Sequence, residues 1–162
     1  MADRGTEDDA IVVGRQDLGE SDRIIRLVTH THGRVDAVAR GARRSRKRFG
    51  GALDVGTRAR ARWQAGRGRL PTLVALDEPV VPRRAREDYD RLALLAWGCE
   101  VVAVLAGPAP EPRLHRLLGA WLEVLEATPV PTVASRLALE GKALTFAGLL
   151  PALTACASCG RP

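Results

Sequence analysis

The chain has 162 residues, 46% apolar and only 4% aromatic, so it can bury one ordinary core or two small ones with few large rings. Lys plus Arg number 25 against 19 Asp plus Glu, a net charge of +6, which excludes an acidic disordered chain and points toward polyanions. The opening MADRGTEDDA lacks a basic, apolar leader and the longest apolar run, 92–107, is short and holds Glu100, so a cytoplasmic protein without a membrane partner is expected.

The first half reads as strands. Ile11 opens an apolar run that ends at Gly19, and Arg23–Thr29 follows with paired branched residues before the turn-forming His30-Thr31-His32-Gly33. Val35, Ala37 and Ala39 then alternate, completing a hairpin. From Thr57 to Ala65 the alternation is strict, with Trp63 on the apolar side and Arg58, Arg60 and Arg62 projecting together from the other. Gly66-Arg67-Gly68 supplies a turn, and Leu70–Leu76 returns as a partner whose Pro71 suits an edge or a strand start. Five short strands in this span suit a small barrel or a sandwich, the oligonucleotide-binding (OB) barrel being one such fold.

After Pro82 the period changes. Ala85, Tyr89, Leu92, Ala96, Cys99, Ala103 and Ala106 predict one long amphipathic helix. A second is marked by Leu114, Leu118, Trp121 and Leu125, and a third by Leu137, Leu144 and Leu150, starting after Thr132 and ending at Pro151. The strand and helix regions meet near 78–83.

Charge is unevenly spread. Residues 23–69 hold 14 Arg or Lys and only Asp36 and Asp54 as acids, a local net of +12. Within GARRSRKRFGG, Arg43, Arg44, Arg46, Lys47 and Arg48 fill five of six positions, a density that suits phosphate binding through counterion release. A solvated loop is the plain alternative. With Arg58, Arg60 and Arg62 in the same half, like charges would repel without a polyanion. Phe49 is the better candidate for base stacking, whereas Trp63 reads as core. So few rings favour backbone contacts over base reading.

Cys156-Ala157-Ser158-Cys159-Gly160 has the spacing of half a tetrahedral zinc site, with a redox dithiol as the competing reading. Cys99, on an apolar stripe, reads as core. His30 and His32 read as a solvated turn, and no phosphate-binding glycine loop or serine elbow is present.

The segments IVVGRQDLGESDRIIRLVTHTHGRVDAVARGARR (11–44), RFGGAL (48–53), GRLPTL (68–73), and GLLP with CASCG (148–160) resemble, in this order, the RecO family of bacterial recombination mediators. GESDRI at 19–24 and HGRV at 32–35 are the most specific of these. The resemblance implies an α+β chain: an OB domain over 1–80, a helical domain over 81–152 and the first half of a zinc ribbon over 153–162. It implies a non-enzymatic protein of the bacterial nucleoid that binds single- and double-stranded DNA, anneals complementary strands and helps load recombinase. The implied partners are RecR and the C-terminal tail of single-strand-binding protein, the latter on the helical domain. The expected DNA contacts are Arg34, Arg40, Arg43, Arg44, Arg46, Lys47, Arg48, Phe49, Arg58, Arg60 and Arg62, with no catalytic residue. Cys156 and Cys159 are expected to hold Zn2+ only where a longer chain brings a second cysteine pair, and no metal is expected on these 162 residues alone. A protein-docking adaptor and an RNA-binding factor using the same basic half remain as alternatives.

Overall fold

The structure, a computed structural model, describes residues 5–44, 49–66, 68–127, 131–156 and 158–161. Five strands, β1 (Thr6–Leu18), β2 (Asp22–Thr29), β3 (Arg34–Ala39), β4 (Arg58–Gln64) and β5 (Thr72–Val80), close into a barrel in the order β1-β2-β3-β5-β4. Among the described residues only the β3–β5 pairing is parallel. This is the expected OB barrel, with the Arg23–Thr29 and Arg34–Ala39 segments forming the expected hairpin. Four helices follow: α1 (Arg84–Glu87), α2 (Tyr89–Leu105), α3 (Pro112–Glu126) and α4 (Val133–Phe146).

The apolar run in β1 is explained by burial on both sides. Ala10 and Val12 point into the barrel with Ile25, Leu27, Ala61, Trp63 and Leu73, while Ile11 and Val13 pack outward against α2 and α3 with Leu95, Cys99, Val102 and Leu118. A strand covered on both faces has no reason to alternate. Cys99 is fully buried, as its place on the stripe suggested, and burial pushes its thiol up to about 12.

Several expected bounds change: α4 ends at Phe146 rather than at Pro151, and β5 runs from Thr72 to Val80 rather than from Leu70 to Leu76. The predicted first helix is broken at Asp88, whose extended backbone starts a new helix and whose carboxylate accepts from the Arg91 N–H at 3.1 Å. β1 also begins earlier than its apolar run, at Thr6, because residues Thr6–Ile11 pair antiparallel with Trp63–Arg58.

Barrel and helices are joined through main-chain atoms as well as through this packing. Gly33, at φ +67°, sits where an added methyl carbon would lie 2.6 Å from the Ala109 carbonyl oxygen and 2.7 Å from those of Gly107 and Pro108. Next to it, the Arg34 N–H donates to the Gly107 carbonyl at 2.8 Å and the Arg34 guanidinium to the Ala103 carbonyl at 3.1 Å. Only glycine fits that approach without strain.

Candidate nucleic-acid interface

The three arginines of β4 do share the outward face, but carboxylates stand opposite them. Antiparallel pairing sets Glu7 across from Arg62 and Asp9 across from Arg60. Arg60 lies 3.5 Å from Glu7 and 3.6 Å from Asp9, Arg62 is 2.8 Å from Asp77 on β5, and Arg58 reaches Glu123 on α3 at 2.9 Å. The Asp77 hydrogen bond raises the Arg62 pKa. Three guanidiniums thus meet four carboxylates, and this flank is not electropositive. The expectation of an open phosphate-binding face on β4 is corrected on that ground. The acidic opening of the chain is the pairing partner of its most regular basic strand.

The other end of the barrel is built differently. The β1–β2 turn at Gly19, φ +59°, brings Asp17 opposite Arg23, and the β3 exit folds back over it. Arg43 donates to the Gly19 carbonyl and lies 3.4 Å from Asp17, and Arg44 lies 3.3 Å from Glu20. The hydrogen bond from Arg23, at 2.8 Å, and the charges of Arg43 and Arg15 hold the Asp17 carboxyl below its usual range. Asp22 is lowered by the Gly41 N–H, at 2.8 Å, by Ser21 and by the charges of Arg40 and Arg44. Arg46, Lys47 and Arg48 lie outside the described residues; in sequence they fall between Arg44 and Phe49. In sequence, residues 40–48 contribute six cations and no acid, and among the described residues Asp17, Glu20 and Asp22 are the carboxylates that act on Arg40, Arg43 and Arg44. These exposed pairs are weak in water, so phosphates can compete for the same guanidiniums.

Phe49 is corrected as a stacking platform. Its ring is 7% exposed and belongs to the barrel interior, because the chain after the basic run turns inward to close the barrel with Leu53. Trp63 is core, as expected, at the same exposure. The histidine turn is more than a solvated loop: His32 lies 3.0 Å from buried Asp8, which also accepts from the Thr31 N–H at 2.7 Å and hydroxyl at 2.9 Å. Burial pushes the Asp8 carboxyl up, and the bonds from His32, Thr31 and Asp9 outweigh it and hold it low. His30 meets His115 of α3 edge to face, with ring centres 5.4 Å apart.

Arg34 faces the helices at the joint described above, away from the arginines of β4. Arg15, Arg23 and Arg26, absent from the expected contacts, lie on the hairpin flank. Pairing the strands across Gly19-Glu20-Ser21 was the signal that would have placed them there.

Family comparison joins this geometry to a known group. Residues 1–77 match the family model described as "Recombination protein O N terminal" and residues 86–162 match "Recombination protein O C terminal". The chain belongs to the RecO family. It is 40% identical to the DNA repair protein RecO of Pelobacter propionicus over 154 residues, 94% of this chain and 62% of that protein. Against the DNA repair protein RecO of Anaeromyxobacter sp. (strain K) the identity is 42% over 156 residues, 94% of this chain and 60% of the relative. For Myxococcus xanthus it is 39% over 156 residues, covering 95% and 63%. The chain therefore spans about 60% of the length of the RecO proteins it matches.

The segments that carried the RecO resemblance have physical work here. GESDRI makes the Gly19 turn of the basic end, and HGRV provides the Gly33 and Arg34 joint. In the last RecO segment, Gly160, φ +71°, donates its N–H to the Cys156 carbonyl at 2.9 Å. Hydrogen bonds from the backbone of Cys159 and Ser158 lower the Cys156 thiol. That loop suits two ligands of a tetrahedral ion, but among the described residues no group of three or more His, Cys, Asp or Glu could hold a metal. These residues alone do not fit a complete zinc site. No helix among the described residues is long and apolar enough to cross a membrane.

Proposed function

We propose that this chain is the DNA-contacting portion of a recombination mediator in DNA repair. It binds single- and double-stranded DNA through backbone phosphates at the Gly19-turn end of the barrel, where Arg23, Arg40, Arg43 and Arg44 gather around Asp17, Glu20 and Asp22 and the sequence continues the basic run with Arg46, Lys47 and Arg48. That surplus is the observation that carries the reading.

Two strands repel through their phosphates. A surface that neutralises phosphates while leaving base edges alone lowers this repulsion and lets the bases pair, so weak base reading favours annealing. The role is stoichiometric rather than catalytic turnover. With RecR as partner, the protein would help recombinase onto DNA coated by single-strand-binding protein, whose C-terminal tail docks on the helical part. Cys156 and Cys159 would supply two of the four ligands of a structural Zn2+, completed by a second pair in a longer chain.

The test is a fluorescence anisotropy titration with single-stranded DNA across salt. Replacing Arg43, Arg44, Arg46, Lys47 and Arg48 together by Ala should weaken binding to every sequence and flatten the salt slope by about 0.7 for each phosphate no longer neutralised. An unchanged slope would overturn the assignment. RNA that competes better than DNA would favour an RNA-binding factor, and no nucleic-acid binding at all a protein-docking adaptor.

A further inference from the structure

We propose that the gap in the barrel wall between β3 and β5 is a slot for one unpaired nucleobase, held by its pairing edge on main-chain atoms of Arg34 and Asp36. This goes beyond the phosphate contacts above and does not depend on them.

The slot follows from the register of the sheet. β3 pairs with β2 along its whole length, but with β5 only at Val38 and Thr72. An antiparallel ladder turns alternate residues of a strand toward its partner and the ones between away from it. The Arg34 N–H donates to the Gly107 carbonyl and the Val38 N–H to the Pro71 carbonyl, both at 2.8 Å, so Arg34, Asp36 and Val38 are the residues turned away from β2. Midway between those two bonds, the Asp36 N–H and the Arg34 carbonyl face one opening. Among the described residues neither has a protein partner. Main-chain groups left open in this way are met by solvent or by a ligand.

The opening is a cavity of about 340 Å3, with Val35, Leu70, Pro71 and Pro108 as apolar walls and Arg34 and Asp36 as its polar residues. Gly107 and Pro71 close its ends at Arg34 and Val38, which stand about 13 Å apart along β3. A further strand therefore cannot run through, but a compact planar group fits. The Asp36 carboxylate lies 3.0 Å from Arg26, and the Arg34 guanidinium donates to the Ala103 carbonyl at 3.1 Å. With one cation and one anion on its walls the slot does not select a phosphate. Nucleobases carry a donor beside an acceptor on the pairing edge, which matches a carbonyl beside an N–H, and that edge is free only in an unpaired base.

The test is an amide NMR titration of the protein with adenosine monophosphate, with N6,N6-dimethyladenosine monophosphate and ribose 5-phosphate as companion probes. Adenosine monophosphate should move the Asp36 amide more than those of Arg34 and Val38, which are already bonded. The dimethyl probe, whose pairing edge has lost its donor, should bind about ten-fold more weakly, and ribose 5-phosphate should leave the Asp36 amide in place. Equal binding of the dimethyl probe, an equal shift with ribose 5-phosphate, or no shift of Asp36 with adenosine monophosphate would each overturn the slot. Asp36→Pro, which removes an N–H that lies outside the β2 ladder, should lose about ten-fold in affinity, and Asp36→Ala, which keeps it, at most about two-fold. Should Asp36→Pro not fold, the two nucleotide probes on the unaltered protein decide. A single-stranded adenine oligonucleotide that moves the same amide identifies a DNA strand as the source of the base, and one that leaves it in place while adenosine monophosphate moves it identifies a free nucleotide. Absence of DNA binding by the unaltered protein would remove the phosphate reading and leave the monophosphate result standing.

Discussion

The β4 flank and the Gly19-turn end of the barrel are both rich in arginine along the chain, yet they present different surfaces. On β4 each guanidinium faces a carboxylate delivered by β1, β5 or α3. At the Gly19 turn, among the described residues, Arg23, Arg40, Arg43 and Arg44 gather around three carboxylates, and the sequence continues the run with three further cations. The difference teaches that local net charge in sequence is a poor guide to local potential on a sheet. Each strand has two neighbours, and these decide what the charge meets.

The largest expected effect tests whether the ring inside the basic run belongs to the core. Phe49→Ala should lower unfolding free energy by about 3–5 kcal/mol in urea titrations, while Phe49→Leu should keep DNA affinity within about two-fold. A loss of affinity in a stable Phe49→Leu protein would restore stacking and blur the contrast between the two regions. Next, Gly33→Ala should cost about 2–3 kcal/mol, because the methyl meets three carbonyl oxygens at a left-handed φ. An unchanged melting temperature would show that the hairpin flank is not built on the helices.

A smaller effect concerns pH. Burial, then the neighbouring charge of His30, lowers the His115 pKa, so below the ordinary value of about 6.5 the unfolded chain binds more protons than the folded one. Stability should be full above that value and fall as the solution is acidified. His115→Gln should flatten that limb in urea midpoints taken from pH 7.5 to 5.5, and an unchanged limb would place the titration elsewhere. The smallest expected change is in DNA binding by the triple variant Arg58→Ala, Arg60→Ala, Arg62→Ala, within about two-fold of the parent. A large loss would erase the distinction between the flanks.

How much of this was legible depended on the range of the interactions. Strands β3 and β4 show in the sequence because burial on one face imposes alternation, β2 shows by its paired branched residues, and the capped start of α4 shows because Thr132 accepts from the Ser135 N–H. The first residues of β1 did not show. Glu7, Asp8 and Asp9 read as a polar leader until their partners Arg60, Thr31 and His32, far along the chain, are placed beside them. The helix break at Asp88 was hidden because Ala85 and Tyr89 keep the helical phase across it. Phe49 was misread because its neighbours on one side are all basic, which says nothing of where the next turn points the ring.

The seam between barrel and helices is pinned by carbonyls and amides around Gly33 in addition to the apolar side chains packed behind it. Surface substitutions on either side can therefore accumulate without tilting one half against the other. If nucleic acid binds the barrel as proposed, a partner docked on the helices finds it held at a fixed bearing.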